Sequence, residues 1–170
     1  MMTYTKKAQS GRSMIEMLGV LAIVGVLSAG GIAGYSMAMQ SYKTTSLIEK
    51  INLIAQRART TYKGTYTGIT NTTMQNSGKL SANDFANPFG GTLTLANSGD
   101  TAFTITTTAV VPAEACVDLM TSDWGNTGVF TQIVVGSKTV KPTDTTYPAP
   151  VSGVLSACNG GNKTVVFTFK

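Results

Sequence analysis

An unbroken uncharged stretch near the N-terminus limits this chain more than any other feature. From Met17 to Met39 no residue carries a charge, a span of 23 residues. As an α-helix rising 1.5 Å per residue it would reach about 35 Å, enough to cross the hydrocarbon core of a bilayer. The apolar core of a secretory signal peptide covers only about 7–15 residues before a small-residue cleavage site. This stretch is longer and continues without such a break. Lys6, Lys7 and Arg12 precede it, so the excess of positive charge should hold the N-terminus in the cytoplasm and export the remainder. The simplest expectation is an anchor holding an exported domain.

The rest of the composition narrows the chemistry. The chain has 170 residues, which suits one ordinary domain beyond the anchor. It contains no histidine, which removes every His-dependent triad, imidazole base and His metal site. Two cysteines alone cannot build a structural zinc site. No nucleophile motif, metal cluster or Gly-rich phosphate loop is present, so an anchored enzyme has no support and no cofactor is expected. The net charge is +5, but the 13 Lys and Arg are scattered and no run exceeds Lys6-Lys7. A nucleic-acid partner is therefore not expected, and DNA binding would have to show as a salt-dependent affinity.

Glu16 does not fit a plain anchor. It lies between Met14-Ile15 and Met17-Leu18, and a carboxylate entering hydrocarbon there costs roughly 2–3 kcal/mol. Such a group needs a cationic partner. Gly11 lies five positions upstream, and a cut after it would leave a new α-amino group on Arg12. Lys6-Lys7, Gly11, then Arg12-Ser13-Met14-Ile15-Glu16 and a long apolar helix resemble the leader of the type IV pilins. In that family a prepilin peptidase cuts after the glycine and methylates the new N-terminus. The resemblance implies that Glu16 attracts the N-terminal amine of a neighbouring subunit during filament assembly. Two charges in a low-dielectric bundle are relieved only when paired. The family usually has an apolar residue after the cut. Here it is Arg12, placed to stay at headgroup level or to help neutralise a neighbouring Glu16.

The helix should continue well past the apolar stretch, from about Met14 to Tyr62. Leu47, Ile51, Ile54, Ala58 and Tyr62 recur at helical spacing and form one stripe, with Lys43, Glu49, Lys50, Gln56, Arg57 and Arg59 around the remaining surface. Gly64 is the expected terminator. Gly30, Gly31 and Gly34 interrupt the apolar half. They suit either close helix packing through Gly30-x-x-x-Gly34 or, by the family resemblance, a segment that unwinds in the filament. The resulting division is leader 1–11, apolar membrane and assembly helix 12–39, amphipathic half 40–63, and exported globular β-sheet domain 64–170.

In the exported part, residues 65–87 read as a polar, turn-rich connection with a helical turn near Ala82–Phe85. Thr92-Leu93-Thr94-Leu95 and Ala102–Thr106 alternate with period two around Asn97-Ser98-Gly99-Asp100, a β-hairpin. Asn87–Gly91 resembles the segment that enters the sheet in type IVb pilins. Pro112–Met120 reads as a short helix, Val129–Val135 as a strand with Ser137–Val140 returning across Gly136, and Lys163–Phe169 as the closing strand. Pro142, Pro148 and Pro150 mark a long irregular loop between them. An exported compartment makes a Cys116–Cys158 disulfide the default, with two buried free thiols as the alternative. In the pilin family such a bridge closes a C-terminal surface loop used in subunit contacts, and a loop this large resembles type IVb.

The expected fold is therefore α+β, a long N-terminal helix packed on an antiparallel sheet. The resemblance implies a structural pilus subunit, held in the inner membrane as a precursor and then polymerised on the cell surface. Its partners would be identical subunits, prepilin peptidase and the inner-membrane assembly machinery. A minor pilin or a pseudopilin of a type II secretion system is the alternative.

Overall fold

The computed structural model describes residues 14–107, 111–126, 128–160 and 163–170. They divide into two compact units, one ending at Met39 and the other covering Gln40–Lys170. Helix α1 runs over Met14–Tyr62. Within the first unit it is exposed on every side, as expected of a helix that is apolar nearly all round.

In the second unit α1 buries one stripe. Leu47, Ile51, Ile54 and Ala58 are fully buried, Ala55 nearly so, and Tyr62 lies partly covered at the end of the row. Burying each large aliphatic side chain stabilises the unit by roughly 1.5–3 kcal/mol. The helix stops because Lys63 and Gly64 take positive φ, 50° and 96°. Gly64 adopts this left-handed geometry without Cβ strain, which makes it a natural helix end.

The chain then crosses to the sheet through helix α2 (Asn71–Asn76) and a 3-10 turn at Ala82–Phe85. Strands β1 (Leu93–Asn97) and β2 (Phe103–Thr107) form the expected hairpin, with Leu95 opposite Ile105. Helix α3 (Ala113–Thr121) follows, with Pro112 at its N-cap. Strands β3 (Phe130–Val135) and β4 (Lys138–Val140) turn at Gly136. Helix α4 (Val151–Cys158) precedes the last strand, β5 (Val165–Phe169).

The sheet order is β1-β2-β5-β3-β4, and every pairing is antiparallel. The last strand therefore sits in the middle and joins the two hairpins. Register places Leu95, Ile105, Phe167, Ile133 and Val140 in one row on the buried face. Thr94, Thr106, Val166, Val134 and Thr139 form the matching row on the other face. The alternation is the period-two pattern of a sheet with a single covered face.

Aromatic rings fill the core between sheet and helices. Tyr66 meets Phe103 at 4.6 Å between ring centroids, Trp124 meets Phe167 at 4.7 Å, and Phe130 meets Phe169 at 5.6 Å. Each such pair contributes about 0.5–1.5 kcal/mol beyond its buried area.

Two short helices were not expected. The segment of α2, Asn-Thr-Thr-Met-Gln-Asn, has weak helix formers, but Thr70 and Thr73 make reciprocal capping contacts and Met74 is fully buried. The segment of α4 contains Gly153 and two valines, a poor helix by propensity. Burial of Val154 and Cys158 holds it instead.

Candidate functional site

Two features stand out, one in each unit. In the first, Glu16 sits in the first described turn of α1. Its surroundings are apolar and uncovered: Met14 and Ile15 are 86% and 79% exposed, and Leu18, Leu21, Val26 and Leu27 are similar. This helix is long and apolar enough to cross a membrane, with a mean hydropathy of 2.1 over its most apolar window, none of it buried in the protein. Among the described residues no side chain pairs with Glu16. Gly11 and Arg12 lie outside the described residues. A Cβ added at Gly30, Gly31 or Gly34 would meet nothing within 4 Å. Among the described residues these glycines meet no other side chain.

In the second unit, Cys116 of α3 and Cys158 of α4 are joined, with their Cα atoms 5.6 Å apart and both residues fully buried. The bridge spans 42 positions of sequence, enclosing β3, β4 and the proline-rich loop. That loop has its own fastening. The Tyr147 hydroxyl accepts from the Trp124 backbone N–H at 2.6 Å and donates to Asp123 Oδ1 at 3.2 Å. Asp123 Oδ1 also accepts from the Gly125 N–H at 2.9 Å, and the Trp124 indole donates to the Leu119 carbonyl at 2.8 Å. Burial, reinforced by the neighbouring Asp123 carboxylate, pushes the Tyr147 phenol above its usual range. It stays protonated and keeps donating. Tyr147 lies 23 and 24 positions from Trp124 and Asp123, so no local motif pairs them.

A second group of contacts fastens α1 to the connection. The Lys50 ammonium donates to the Asn83 carbonyl at 2.6 Å, and Lys43 lies 6.0 Å over the Phe89 ring. Asp84 accepts from the Ser81 N–H at 2.7 Å and from its hydroxyl at 2.9 Å. These hydrogen bonds, aided by Lys50 and Arg57, hold its carboxyl below the usual range. On α3, Glu114 accepts from the Gln40 side chain at 2.6 Å.

Among the described residues no group of three or more His, Cys, Asp or Glu converges to hold a metal. What the chain offers is surface: an uncovered apolar helix in one unit and a cross-linked α/β face in the other. The apolar side chains Val151 and Leu155 stand exposed on α4, beside a groove of 420 Å³ that runs past the bridge between α3 and α4.

Comparison with known proteins agrees with this architecture. The family model described as PilS N terminal matches residues 41–170. The toxin coregulated pilin of Vibrio cholerae serotype O1 is 31% identical over 133 residues, covering 69% of this chain and 59% of that protein. A second toxin coregulated pilin from Vibrio cholerae is 31% identical over 97 residues, 51% of this chain and 43% of that one. The chain thus spans about half the length of the curated relatives it matches. The crystal structure of TcpA, a type IV pilin from the El Tor biotype of Vibrio cholerae, superposes with a TM-score of 0.54. That match covers 75% of this chain and 98% of TcpA at 19% identity, a likeness of fold. A long helix on an antiparallel sheet with a bridged C-terminal region, taken with the family match, leads to one conclusion: this chain belongs to the PilS N-terminal family and has the fold of a type IV pilin.

Proposed function

We propose that the chain is a structural subunit of a type IV pilus. The observation that carries this reading is the pairing of an apolar helix half, exposed on every side, with a compact disulfide-closed domain. Such a helix must be covered by lipid or by copies of itself, because the hydrophobic effect forbids leaving it in water. Lipid would cover it in the stored precursor, with the N-terminus in the cytoplasm and residues 64–170 exported. Neighbouring subunits would cover it in the extracellular filament.

In this reading prepilin peptidase removes residues 1–11 by cutting after Gly11. The new amine on Arg12 then pairs with Glu16 of an adjacent copy as the inner-membrane machinery adds subunits. Segment 12–39 forms the filament core, with Gly30, Gly31 and Gly34 allowing close approach or local unwinding. Segment 40–63 carries the exported domain, whose chemistry is packing rather than catalysis. The Cys116–Cys158 loop favours a pilus subunit over a secretion pseudopilin, and abundance in surface fibres separates a major from a minor pilin.

Mass spectrometry of the N-terminus in sheared surface material tests the reading. A mature chain beginning at methylated Arg12 is expected. Fibres retaining Met1 or Met2, or surface material lacking the chain, would overturn it.

A further inference from the structure

The outer flank of the sheet is closed at β1 by a side chain. β1 is the last strand on its side, so its backbone groups facing away from β2 need partners from elsewhere. Asn71 provides two of them. Its Nδ2 donates to the Leu93 carbonyl at 2.7 Å, and its Oδ1 accepts from the Leu95 N–H at 2.7 Å. A carboxamide carries the same donor and acceptor as a peptide group, so this side chain fills the place of one residue of a sixth strand.

Its setting fixes it there. Asn71 opens α2 directly behind the Thr70–Thr73 capping box. Single bridges from Thr70 to Ala96 and from Ala86 to Thr92 cover the flank on either side. The opposite edge is managed differently. β4 has three residues, begins with Lys138 and is followed by Lys141 and Pro142, a short and charged template that pairs poorly. β1 has no such protection of its own: from Phe85 to Gly99 no residue is charged. An uncharged β-rich strand with an open edge is the usual seed of edge-to-edge association.

We propose that Asn71 is an edge plug, whose side chain prevents β1 from pairing with an extended strand of a second copy of this chain. It confines contact between copies to surfaces other than the sheet edge, and it holds whether or not the chain builds pili.

Two substitutions in the full chain, kept in detergent micelles, test this. Asn71→Ala removes both contacts and leaves the Leu93 carbonyl and the Leu95 N–H open on an uncharged edge. Asn71→Asp also loses the donor to Leu93, but it sets a negative charge beside the edge that repels an incoming strand. Hydrogen exchange at Leu95 should quicken about tenfold in dilute Asn71→Ala, the loss of one ordinary hydrogen bond. Ile105 on the neighbouring strand should stay protected, which separates edge opening from loss of the fold. Sedimentation should then show Asn71→Ala self-associating at concentrations where the parent and Asn71→Asp do not, with Leu95 protected again in the associated form. Equal association of both variants would overturn the proposal, since loosening of the connection would then be the cause. Association of neither, or unchanged exchange at Leu95, would overturn it too.

Discussion

Replacing both bridged cysteines by alanine, Cys116→Ala with Cys158→Ala, tests how much the Gln40–Lys170 unit owes to its covalent closure. Both side chains are fully buried, so serine would add the cost of unpaired hydroxyls and confuse the comparison. The bridge spans 42 positions, and by the chain-entropy model a loop of that size contributes about 4 kcal/mol. Domains of this size are stable by only about 5–15 kcal/mol, so this is a large fraction. The corresponding fall in Tm is roughly 10–20 °C. The loss should fall on a defined region, because α4 has little intrinsic helix preference and leans on α3. Thermal unfolding of the full chain in detergent, followed by near-ultraviolet circular dichroism at the Trp124 environment, is the assay. Alkylation of the denatured parent should find no thiol. A fall in Tm of under about 3 °C, or two alkylated cysteines in the parent, would refute the reasoning.

Other expectations follow from the packing and the charges. Ile51→Ala should cost 2–5 kcal/mol in urea unfolding because Ile51 is fully buried, while exposed Gln56→Ala on the same helix should stay within about 0.5 kcal/mol. Tyr147→Phe removes the acceptor for the Trp124 N–H and should cost about 1–3 kcal/mol in the same assay, with altered near-ultraviolet signal from Trp124. Asp84 has a folded-state pKa lowered chiefly by the Ser81 N–H. Its contribution is therefore present above the unfolded carboxylate value of about 4 and is lost as pH falls through the folded value. Asp84→Asn should reduce Tm at neutral pH and flatten the decline between pH 5 and 2, where thermal scans at a series of pH values would detect it.

Much of the fold is legible in the sequence because it depends on near neighbours. The stripe from Leu47 to Ala58 lies on one helix, and Gly64 ends that helix by its own backbone freedom. The hairpin around Asn97–Asp100 and the turn at Gly136 likewise report themselves locally. α4 did not, because Gly153 and the valines argue against a helix, and what stabilises it is a cysteine 42 positions away and the burial of Val154. Pro150 at its N-cap was the available signal. α2 was hidden in the same way, though Thr70 and Thr73 carried its cap. Asn71 was illegible because its partners are 22 and 24 residues away in sequence. The proposed assembly site is the reverse case. Glu16 and Gly11 are conspicuous in the sequence, since one charge in a long apolar run is costly, but a single copy holds no partner for the carboxylate among its described residues.

The pairing of Glu16 with another copy is tested most directly by Glu16→Val, scored as fibre yield in sheared surface material against the amount of processed chain in the membrane. The substitution lies outside the Gln40–Lys170 unit and makes the helix easier to hold in lipid. Normal processing with fibre yield reduced to a small fraction of the parent is the expected result. Full fibre yield from the valine chain would contradict the role given to this carboxylate.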